Sequence, residues 1–337
     1  MKLRVGVIGL GPAWESRHQP ALRALSDRYE VRAICAEVAR RAEQVARPFN
    51  AAHVDGFRAL AARDDIDAVF MLAQDWVGPL PILAACEAGK AVYTSAALEI
   101  DPTQAREVKR RVEASGVAFM AELPRRHAPA TLRLKELIAT RLGQPRLLFC
   151  HQRTWTADQS KPGSPRAQCP ASMRDMMELV DWCRYIIDAE PQSVVGVHHQ
   201  TGERDENDYA MMSLDFSEPS QTGTGPMAQI SCGHYLQKSW SESISFRPPA
   251  ALQICCERGV AFIDLPTTLI WFDEAGQHLE SLDSERPVGE QLLLHFHRAV
   301  TSLVRKTSDL EDAYRALKIV LTAQQSCDEG QRLAIEF

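Results

Sequence analysis

The first fourteen residues constrain the fold more than any other stretch of the chain. Val5, Val7 and Ile8 form an apolar run that predicts a short buried strand, and Gly9 and Gly11 follow where the chain must turn into a helix. Glycine suits this turn because it has no Cβ, which permits a tight backbone and lets N–H groups approach a pyrophosphate. The spacing indicates a dinucleotide-binding unit; a glycine turn without a nucleotide is the alternative.

One position departs from the dinucleotide pattern. Its third glycine should stand at residue 14, where this chain has Trp14. Because that glycine serves close packing of the helix on the strand, a tryptophan predicts a helix that begins later or lies further from the sheet. We expect Gly9, Gly11, Pro12 and Ala13 to contact the cofactor, and Trp14 to be a core residue.

The composition excludes several classes of protein. A chain of 337 residues with 45% hydrophobic and 24% charged residues is typical of a globular protein with two domains. A net charge of −6 argues against a nucleic-acid partner. No apolar run reaches the roughly 18 residues of a membrane span. Nine scattered cysteines without a C-x-x-C pair, and no pattern of a signal peptide, predict reduced thiols and a cytoplasmic protein.

Strand and helix patterns alternate through the first 122 residues. Strands are predicted at 31–35, 51–54, 67–72, 90–94 and 117–121, and helices at 16–25, 38–46, 79–88 and 102–114. Such alternation predicts an α/β domain, a doubly wound parallel sheet with its ligand beyond the carboxyl ends of the strands. We therefore expect a dinucleotide-binding Rossmann domain at 1–122.

The pattern changes from residue 123. Extended segments are predicted at 145–153, 192–199, 208–216, 227–235, 251–256, 260–265, 268–273 and 332–336, and helices at 129–142, 173–187, 289–305 and 309–327. Residues 123–337 are therefore expected to form an α+β domain on an open, mainly antiparallel sheet. A long loop at 154–172 is expected to be functional or mobile.

The residue that ends the second strand bears on the choice of cofactor. In dinucleotide-binding units this residue is acidic and holds the ribose hydroxyls. Here Ala36 takes that place and Glu37 follows. Either Glu37 makes the ribose contact, and its charge favours NAD, or it is a solvated glutamate at a helix start. Arg40 and Arg41 leave NADP open.

Short motifs along nearly the whole chain match one known family in order and spacing. They are Val5 to Gly11, His18 with Pro20 to Leu22, Asp67 to Val69, Ala84 to Lys90, Arg125-Arg126, Leu142 to Pro145, Asp181 with Arg184-Tyr185, and Asp328 to Arg332. Together they resemble the Gfo/Idh/MocA family, the glucose–fructose oxidoreductase and inositol dehydrogenase group. The resemblance implies that family's fold, NAD or NADP as cofactor, and hydride transfer to or from a sugar-like or polyol substrate.

The chain departs from this family at two positions of the cofactor cleft. The family's E-K-P motif falls on Ser95-Ala96-Ala97, so Ala96 replaces the lysine that family members use for substrate binding and proton transfer. The T-P-N segment becomes Ala73-Gln74-Asp75. We expect Ala73, Gln74 and Ser95 to contact the cofactor.

A third departure lies in the helix at 173–187. The family's D-x-x-x-H-x-x-D falls on Arg174, Glu178 and Asp181, so glutamate replaces the general-base histidine. Glu178 and Asp181 share a helix face. One carboxylate could act as acid or base while the other stays charged. Alternatively, Asp181 pairs with an arginine such as Arg174 or Arg184 and braces the helix. Arg125 either clamps the substrate or forms an interdomain salt bridge.

The histidines do not indicate a metal site. The pairs His198-His199 and His295-x-His297 do not present both rings on one face, so no metal is expected. His151 and His234 lie on predicted strands and either reach the substrate or are packed.

The sequence leaves three functions open. The first is an NAD(P)-dependent oxidoreductase that uses Glu178, Asp181 and Arg125 on a small sugar-like or polyol substrate. The second is a catalytically impaired, nucleotide-binding sensor or partner subunit. The third is elimination or hydrolysis with tightly bound NAD. The family resemblance also implies a homodimer or homotetramer, and neither nucleic acid nor membrane is expected as a partner.

Overall fold

The computed structural model describes residues 1–73, 77–95, 101–155, 171–199, 209–218, 220–236, 239, 242, 250–302 and 309–337. These residues form two compact units. The first contains the described parts of Met1–Pro124 and Arg286–Tyr314. The second contains the described parts of Arg125–Lys161, Cys169–Glu285 and Arg315–Phe337. In this description no helix combines the length and the apolar character of a transmembrane segment.

The first unit is built on a parallel sheet in the order β3-β2-β1-β4-β5-β6. Its strands are β1 (Leu3–Ile8), β2 (Tyr29–Cys35), β3 (Ala52–His53), β4 (Ala68–Met71), β5 (Ala91–Thr94) and β6 (Phe119–Ala121). Every residue of β4, β5 and β6 is buried, as expected for parallel strands covered on both faces. The strand order reverses between β1 and β4, where such sheets bind ligands.

Helices connect these strands. They are α1 (Gln19–Ala24), α2 (Ala39–Ala46), α3 (Phe57–Ala61), α4 (Leu80–Glu87) and α5 (Pro102–Ser115). The Asp101 side chain caps α5 by accepting hydrogen bonds from the backbone of Thr103 and Gln104 at 2.9 and 3.2 Å, and Gly116 ends the helix at φ 64°. Gly89, which was predicted to end α4, follows it with φ 66°.

A later helix, α8 (Val288–Thr301), also belongs to the first unit. The Tyr29 hydroxyl donates to the Leu293 carbonyl at 2.5 Å, and the ring of Phe296 lies 5.6 Å from that of Phe70 and 5.5 Å from that of Tyr93. The division predicted at 122/123 took no account of this helix, because it lies more than 150 residues further along the chain.

The second unit is built on a nine-stranded sheet in the order β14-β13-β12-β11-β7-β10-β9-β8-β15. Its strands are β7 (Pro145–Trp155), β8 (Ser193–His199), β9 (Tyr209–Asp215), β10 (Met227–Leu236), β11 (Leu252–Cys256), β12 (Val260–Asp264), β13 (Thr268–Asp273), β14 (Gly276–Ser281) and β15 (Leu333–Ala334). Its helices are α6 (Pro129–Leu137), α7 (Ala171–Ile187) and α9 (Asp309–Glu329), the last of which begins in the first unit. All neighbouring strands are antiparallel except β7 and β10. The predicted fold class is confirmed.

The two faces of this sheet differ along β7. Leu148 and Cys150 are buried, whereas Leu147 and Phe149 are 43% and 41% exposed. Because side chains alternate along a strand, one face is covered by protein and the other presents apolar side chains.

Two elements of the structure were not predicted from the sequence, and one predicted loop lies mostly outside the described residues. β14 was missed because its sequence, Gly-Gln-His-Leu-Glu-Ser, is polar and mostly exposed at the sheet edge. The five-residue α3 was also missed, since one turn carries little periodicity. Most of the predicted loop 154–172 lies outside the described residues, between the end of β7 and the start of α7.

Candidate functional site

The glycine turn packs directly against the end of β4. Gly9 has φ 76° and donates its N–H to the Cys35 carbonyl at 2.8 Å. A Cβ on Gly9 would lie 2.6 Å from the Ala73 Cβ, and a Cβ on Gly11 would lie 2.0 Å from the Leu72 carbonyl oxygen. Both glycines are therefore required by close backbone packing as well as by the turn.

The same turn presents backbone donors. Within the described residues, no hydrogen-bond acceptor is found for the N–H groups of Leu10, Gly11 and Ala13, and Pro12 has no N–H group. Successive backbone N–H groups in such a turn bind anions. These residues therefore fit the diphosphate of a dinucleotide.

Trp14 is a core residue, as predicted. It is 1% exposed, and its ring meets that of Phe49 edge to face at a centroid distance of 6.2 Å. A π-helical turn occupies Trp14–His18, and regular α-helix begins only at Gln19. The later helix start is the consequence expected for tryptophan at the third glycine position.

The other described residues that were predicted to contact the cofactor follow β2, β4 and β5. Glu37 is exposed two residues after Cys35, whose carbonyl binds the glycine turn. Ala73 contacts Gly9, and the Ser95 hydroxyl donates to the Leu72 carbonyl at 3.0 Å. The carboxyl ends of β1, β2, β4 and β5 thus carry, in that order, the glycine turn, Glu37, Ala73 and Ser95. Gln74 and Ala96 lie outside the described residues.

A buried carboxylate at the end of β6 was missed by sequence reasoning. Glu122 is 3% exposed, approaches Nε2 of the buried His18 at 2.9 Å, and accepts a hydrogen bond from Arg17. Burial favours the neutral acid, but the contacts with His18 and Arg17 outweigh it and hold the pKa of Glu122 below its usual range. The one available signal was an acidic residue directly after an apolar strand.

The second unit pairs two adjacent arginines with two carboxylates of α7. Arg125 lies 3.4 Å from Glu178 and also donates to the Gln152 side chain. Arg126 makes two hydrogen bonds to Asp181, the longer at 2.7 Å. The structure therefore brings together all three predicted catalytic residues, Glu178, Asp181 and Arg125, but in two separate ion pairs.

The two carboxylates have different surroundings. The Glu178 side chain is 38% exposed, whereas that of Asp181 is 3% exposed and has a second arginine, Arg184, at 3.7 Å. Arg184 in turn donates to Glu190 at 2.7 Å. Asp181 thus makes the arginine contacts expected of a residue that braces the helix, and Glu178 is the more accessible of the two carboxylates.

Further polar side chains face α7 from the sheet. The Nε2 atom of His234 lies 3.2 Å from Asp175 Oδ2 and 3.6 Å from Cys232 Sγ, and its Nδ1 atom lies 2.6 Å from the Thr154 hydroxyl. Burial raises the pKa of the Cys232 thiol to about 12. His234 thus belongs to a polar cluster and is not an isolated packed residue.

His151 lies in a different environment. It occupies the opposite face of β7 from Gln152, and its Nδ1 atom lies 2.6 Å from the Ser231 hydroxyl. Burial, with Arg153 nearby, lowers the pKa of His151 below its usual value.

The Glu122 contacts lead to a prediction about acid stability. Glu122→Gln should lower the free energy of unfolding at pH 7 by about 1 to 3 kcal/mol, because it leaves the buried His18 and the partly buried Arg17 without their charged partner. Since the folded-state pKa lies below its ordinary value of 4.5, the stabilisation is complete above that pH and is lost as the pH falls through the folded-state pKa. The gap between wild type and variant should therefore narrow below pH 4.5.

Denaturant unfolding across this pH range measures the effect. Glu107→Gln is the control, because Glu107 makes similar arginine contacts on the surface and should change stability little at any pH. A Glu122→Gln variant as stable as wild type at pH 7 would contradict the prediction.

Comparison with known proteins supports an oxidoreductase fold. Residues 3–123 match the model of an oxidoreductase family with an NAD-binding Rossmann fold, GFO_IDH_MocA. The chain is 30% identical over 141 residues to a dTDP-3,4-didehydro-2,6-dideoxy-alpha-D-glucose 3-reductase from Actinomadura kijaniata, covering 40% of this chain and 41% of that protein. It is 29% identical over 200 residues to an inositol 2-dehydrogenase from Cereibacter sphaeroides, covering 56% and 55%.

These two matches span only about half of each relative or less. A levoglucosan dehydrogenase solved with NADH and levoglucosan superposes over 100% of both chains with a TM-score of 0.83 at 16% identity. That likeness shows that the fold continues through the second unit. Residues 3–123 thus match the NAD-binding Rossmann domain of the GFO_IDH_MocA oxidoreductases, and the chain as a whole shares the two-sheet fold of the levoglucosan dehydrogenase.

Proposed function

We propose that this chain is an NAD(P)-dependent oxidoreductase that moves a hydride between nicotinamide and a hydroxyl or carbonyl carbon of a sugar-like or polyol substrate. The observation that carries the proposal is the glycine turn, in which Gly11 lies against the Leu72 carbonyl and neighbouring N–H groups are left for a diphosphate. Relatives named for sugar and inositol chemistry support the substrate class.

The chain's own residues divide the work. The backbone of residues 10–13 holds the diphosphate, and Glu37 holds the adenosine ribose hydroxyls. In the second unit, Arg125 and Gln152 orient substrate hydroxyls. Glu178 takes the hydroxyl proton during oxidation and returns it during reduction. A bound nicotinamide cofactor would supply the hydride-transfer chemistry. Asp181 positions α7 through Arg126 and Arg184.

A sensor or partner subunit without redox activity is the second candidate. It is favoured by one observation, the replacement of the family's lysine and histidine by Ala96 and Glu178. A positioned acid or base contributes about 10²- to 10⁴-fold to a rate, so losing both without a substitute would leave little activity.

The proposed role of Glu37 leads to a prediction about cofactor choice. We expect calorimetric titration to show tighter binding of NADH than of NADPH, because Glu37 repels a 2′-phosphate. Glu37→Ser should shift the NADH-to-NADPH preference by about tenfold, which corresponds to about 1.4 kcal/mol. Glu43→Ser, at an exposed glutamate of α2, is the matched control. The purified protein is first checked by mass spectrometry for cofactor already bound.

Two results would contradict this assignment. An unchanged preference in Glu37→Ser would remove Glu37 from the cofactor site. No binding of oxidised or reduced NAD or NADP, with none carried through purification, would refute the proposed function itself.

Substitution of the two carboxylates of α7 should have different effects. Glu178→Gln should lower kcat by about 10²- to 10⁴-fold because it removes the proton acceptor. It should leave the unfolding transition nearly unchanged. Asp181→Asn should instead lower the free energy of unfolding by about 3 to 5 kcal/mol, because Arg126 and Arg184 lose a buried partner.

Reduced nicotinamide absorbance, followed with a panel of polyols and aldoses, measures kcat, and denaturant unfolding measures stability. Wild-type kcat in Glu178→Gln would exclude the assigned role. Cofactor binding without turnover of any substrate in the panel would favour the sensor.

The apolar face of the second sheet supports a further part of the proposal, a homodimer or homotetramer. Leu147 and Phe149 are exposed there on a central strand, where burial against a second copy would remove them from water. Sedimentation should show an oligomer for wild type and a monomer for Leu147→Glu with Phe149→Glu. Leu132→Glu on α6, a comparably exposed site, should leave the oligomer intact. A monomeric wild type would contradict the proposal.

A further inference from the structure

Three side chains in the second unit are arranged as metal ligands are. Asp175 lies on α7, and Cys232 and His234 lie on β10 with one residue between them, so both point to the face that α7 covers. The carboxylate, thiol and imidazole each offer one ligand atom, and the three atoms lie within 4.8 Å of one another.

The distances between these atoms suit a tetrahedral ion. For Zn²⁺ with ordinary bond lengths, ligand atoms are separated by about 3.3 Å for nitrogen and oxygen and about 3.6 Å for pairs that include sulfur. The observed separations are 3.2 Å from His234 Nε2 to Asp175 Oδ2, 3.6 Å from Nε2 to Cys232 Sγ, and 3.9 Å from Sγ to Oδ2. The ligand atoms therefore need little movement to hold the ion.

The hydroxyl of Thr154 orients the imidazole ring of His234 for metal binding. Thr154 Oγ1 lies 3.4 Å from the Gly233 carbonyl and 2.6 Å from His234 Nδ1. With the hydroxyl donated to the carbonyl, its oxygen accepts from the N–H of Nδ1. The ring proton then resides on Nδ1, and the lone pair of Nε2 faces Asp175 and Cys232. A second hydrogen bond of this kind orients most metal-binding histidines.

We propose that Asp175, Cys232 and His234 form a binding site for a divalent cation of the zinc type. Thiolate and imidazole favour Zn²⁺ over Mg²⁺ and Ca²⁺, which prefer oxygen ligands. In the described part of the chain three side chains contribute, so water or an oxygen of a small ligand completes the tetrahedron. That the ligand is a substrate hydroxyl or carbonyl oxygen rests on the proposed function; binding of the metal does not.

Sequence inspection missed this site for a definite reason. No metal was predicted, because the histidine pairs do not share a face and no H-E-x-x-H, Cys-His cluster or EF-hand spacing was recognised in the sequence. The ligands instead come from one helix and one strand, 57 residues apart, and only the Cys-x-His spacing on β10 is visible locally.

Metal binding to the whole chain tests the inference. After treatment with a chelator, titration with Zn²⁺ should show one tight site per chain, and Co²⁺ should give the charge-transfer absorbance of a cobalt–thiolate bond. Cys232→Ser and His234→Gln should each weaken Zn²⁺ binding at least about tenfold and abolish or shift that absorbance. Thr154→Val should weaken binding about 10- to 100-fold, the usual effect of losing such a supporting hydrogen bond.

The controls use the same residue types outside the cluster. Cys255→Ser removes another cysteine, and His278→Gln removes a histidine that lies 3.1 Å from Asp273; both should bind Zn²⁺ like wild type. The cobalt spectrum of wild type needs no variant, so it decides even if a variant fails to fold.

Two outcomes overturn the proposal: no cobalt–thiolate absorbance in wild type, or Zn²⁺ binding unchanged by Cys232→Ser and His234→Gln. Cofactor titration of the same samples shows whether the proposed function survives, because neither outcome bears on the glycine turn.

Discussion

The arrangement of the second unit depends on the buried carboxylate of Asp181. Taking a carboxylate out of water is costly unless it is paired, and removing its partner leaves that cost uncompensated. Arg126 and Arg184 both meet this requirement, and Glu190 joins Arg184 to Arg315, whose Nη1 lies 3.0 Å from Glu190 Oε1. These contacts fix both the position and the rotation of α7. Because Glu178 lies one turn before Asp181 and Asp175 one turn before that, their directions are fixed with it.

The charged groups beside this helix limit the proton chemistry that is available there. Arg125 supplies a positive charge beside Glu178, but a guanidinium stays protonated and cannot exchange protons at neutral pH. It can bind and orient a hydroxyl; it cannot act as an acid or base. In the proposed function, proton transfer therefore falls to a carboxylate; Glu178 is the accessible one, while Asp181 is held by two arginines. Sequence spacing alone made the two carboxylates equivalent; burial separates their roles.

The sequence predicted elements well where burial dictates composition. β4 and β5 are continuous apolar runs because a parallel sheet buries both faces, and the Leu148 and Phe149 alternation marks a strand with one open face. The prediction missed elements whose residues are mostly exposed and need not be apolar, such as the polar edge strand β14.

The candidate site was harder to predict, because its contacts join distant parts of the chain. Glu122 meets His18 across 104 positions, and α8 reaches Tyr29 across 264. The periodicity of a single segment carries no information about contacts between such distant residues. What the sequence did indicate was the residue types at the ends of strands, which the parallel sheet brings together at one edge.

The charges around α7 favour the binding of a divalent cation by Asp175, Cys232 and His234. Cys232 lies opposite Gln152 in the pairing of β10 with β7, and Gln152 accepts from Arg125, so the two polar groups adjoin. Asp175 and Glu178 contribute two negative charges there against one from Arg125, and a coordinated thiolate would add a third. A divalent cation would balance this set. It would also polarise the oxygen that it bound, which Arg125 cannot do as strongly from a delocalised guanidinium. A cation held by Asp175, Cys232 and His234 would supply an electrophile one helical turn from Glu178, and the carboxylate could then act as base alone.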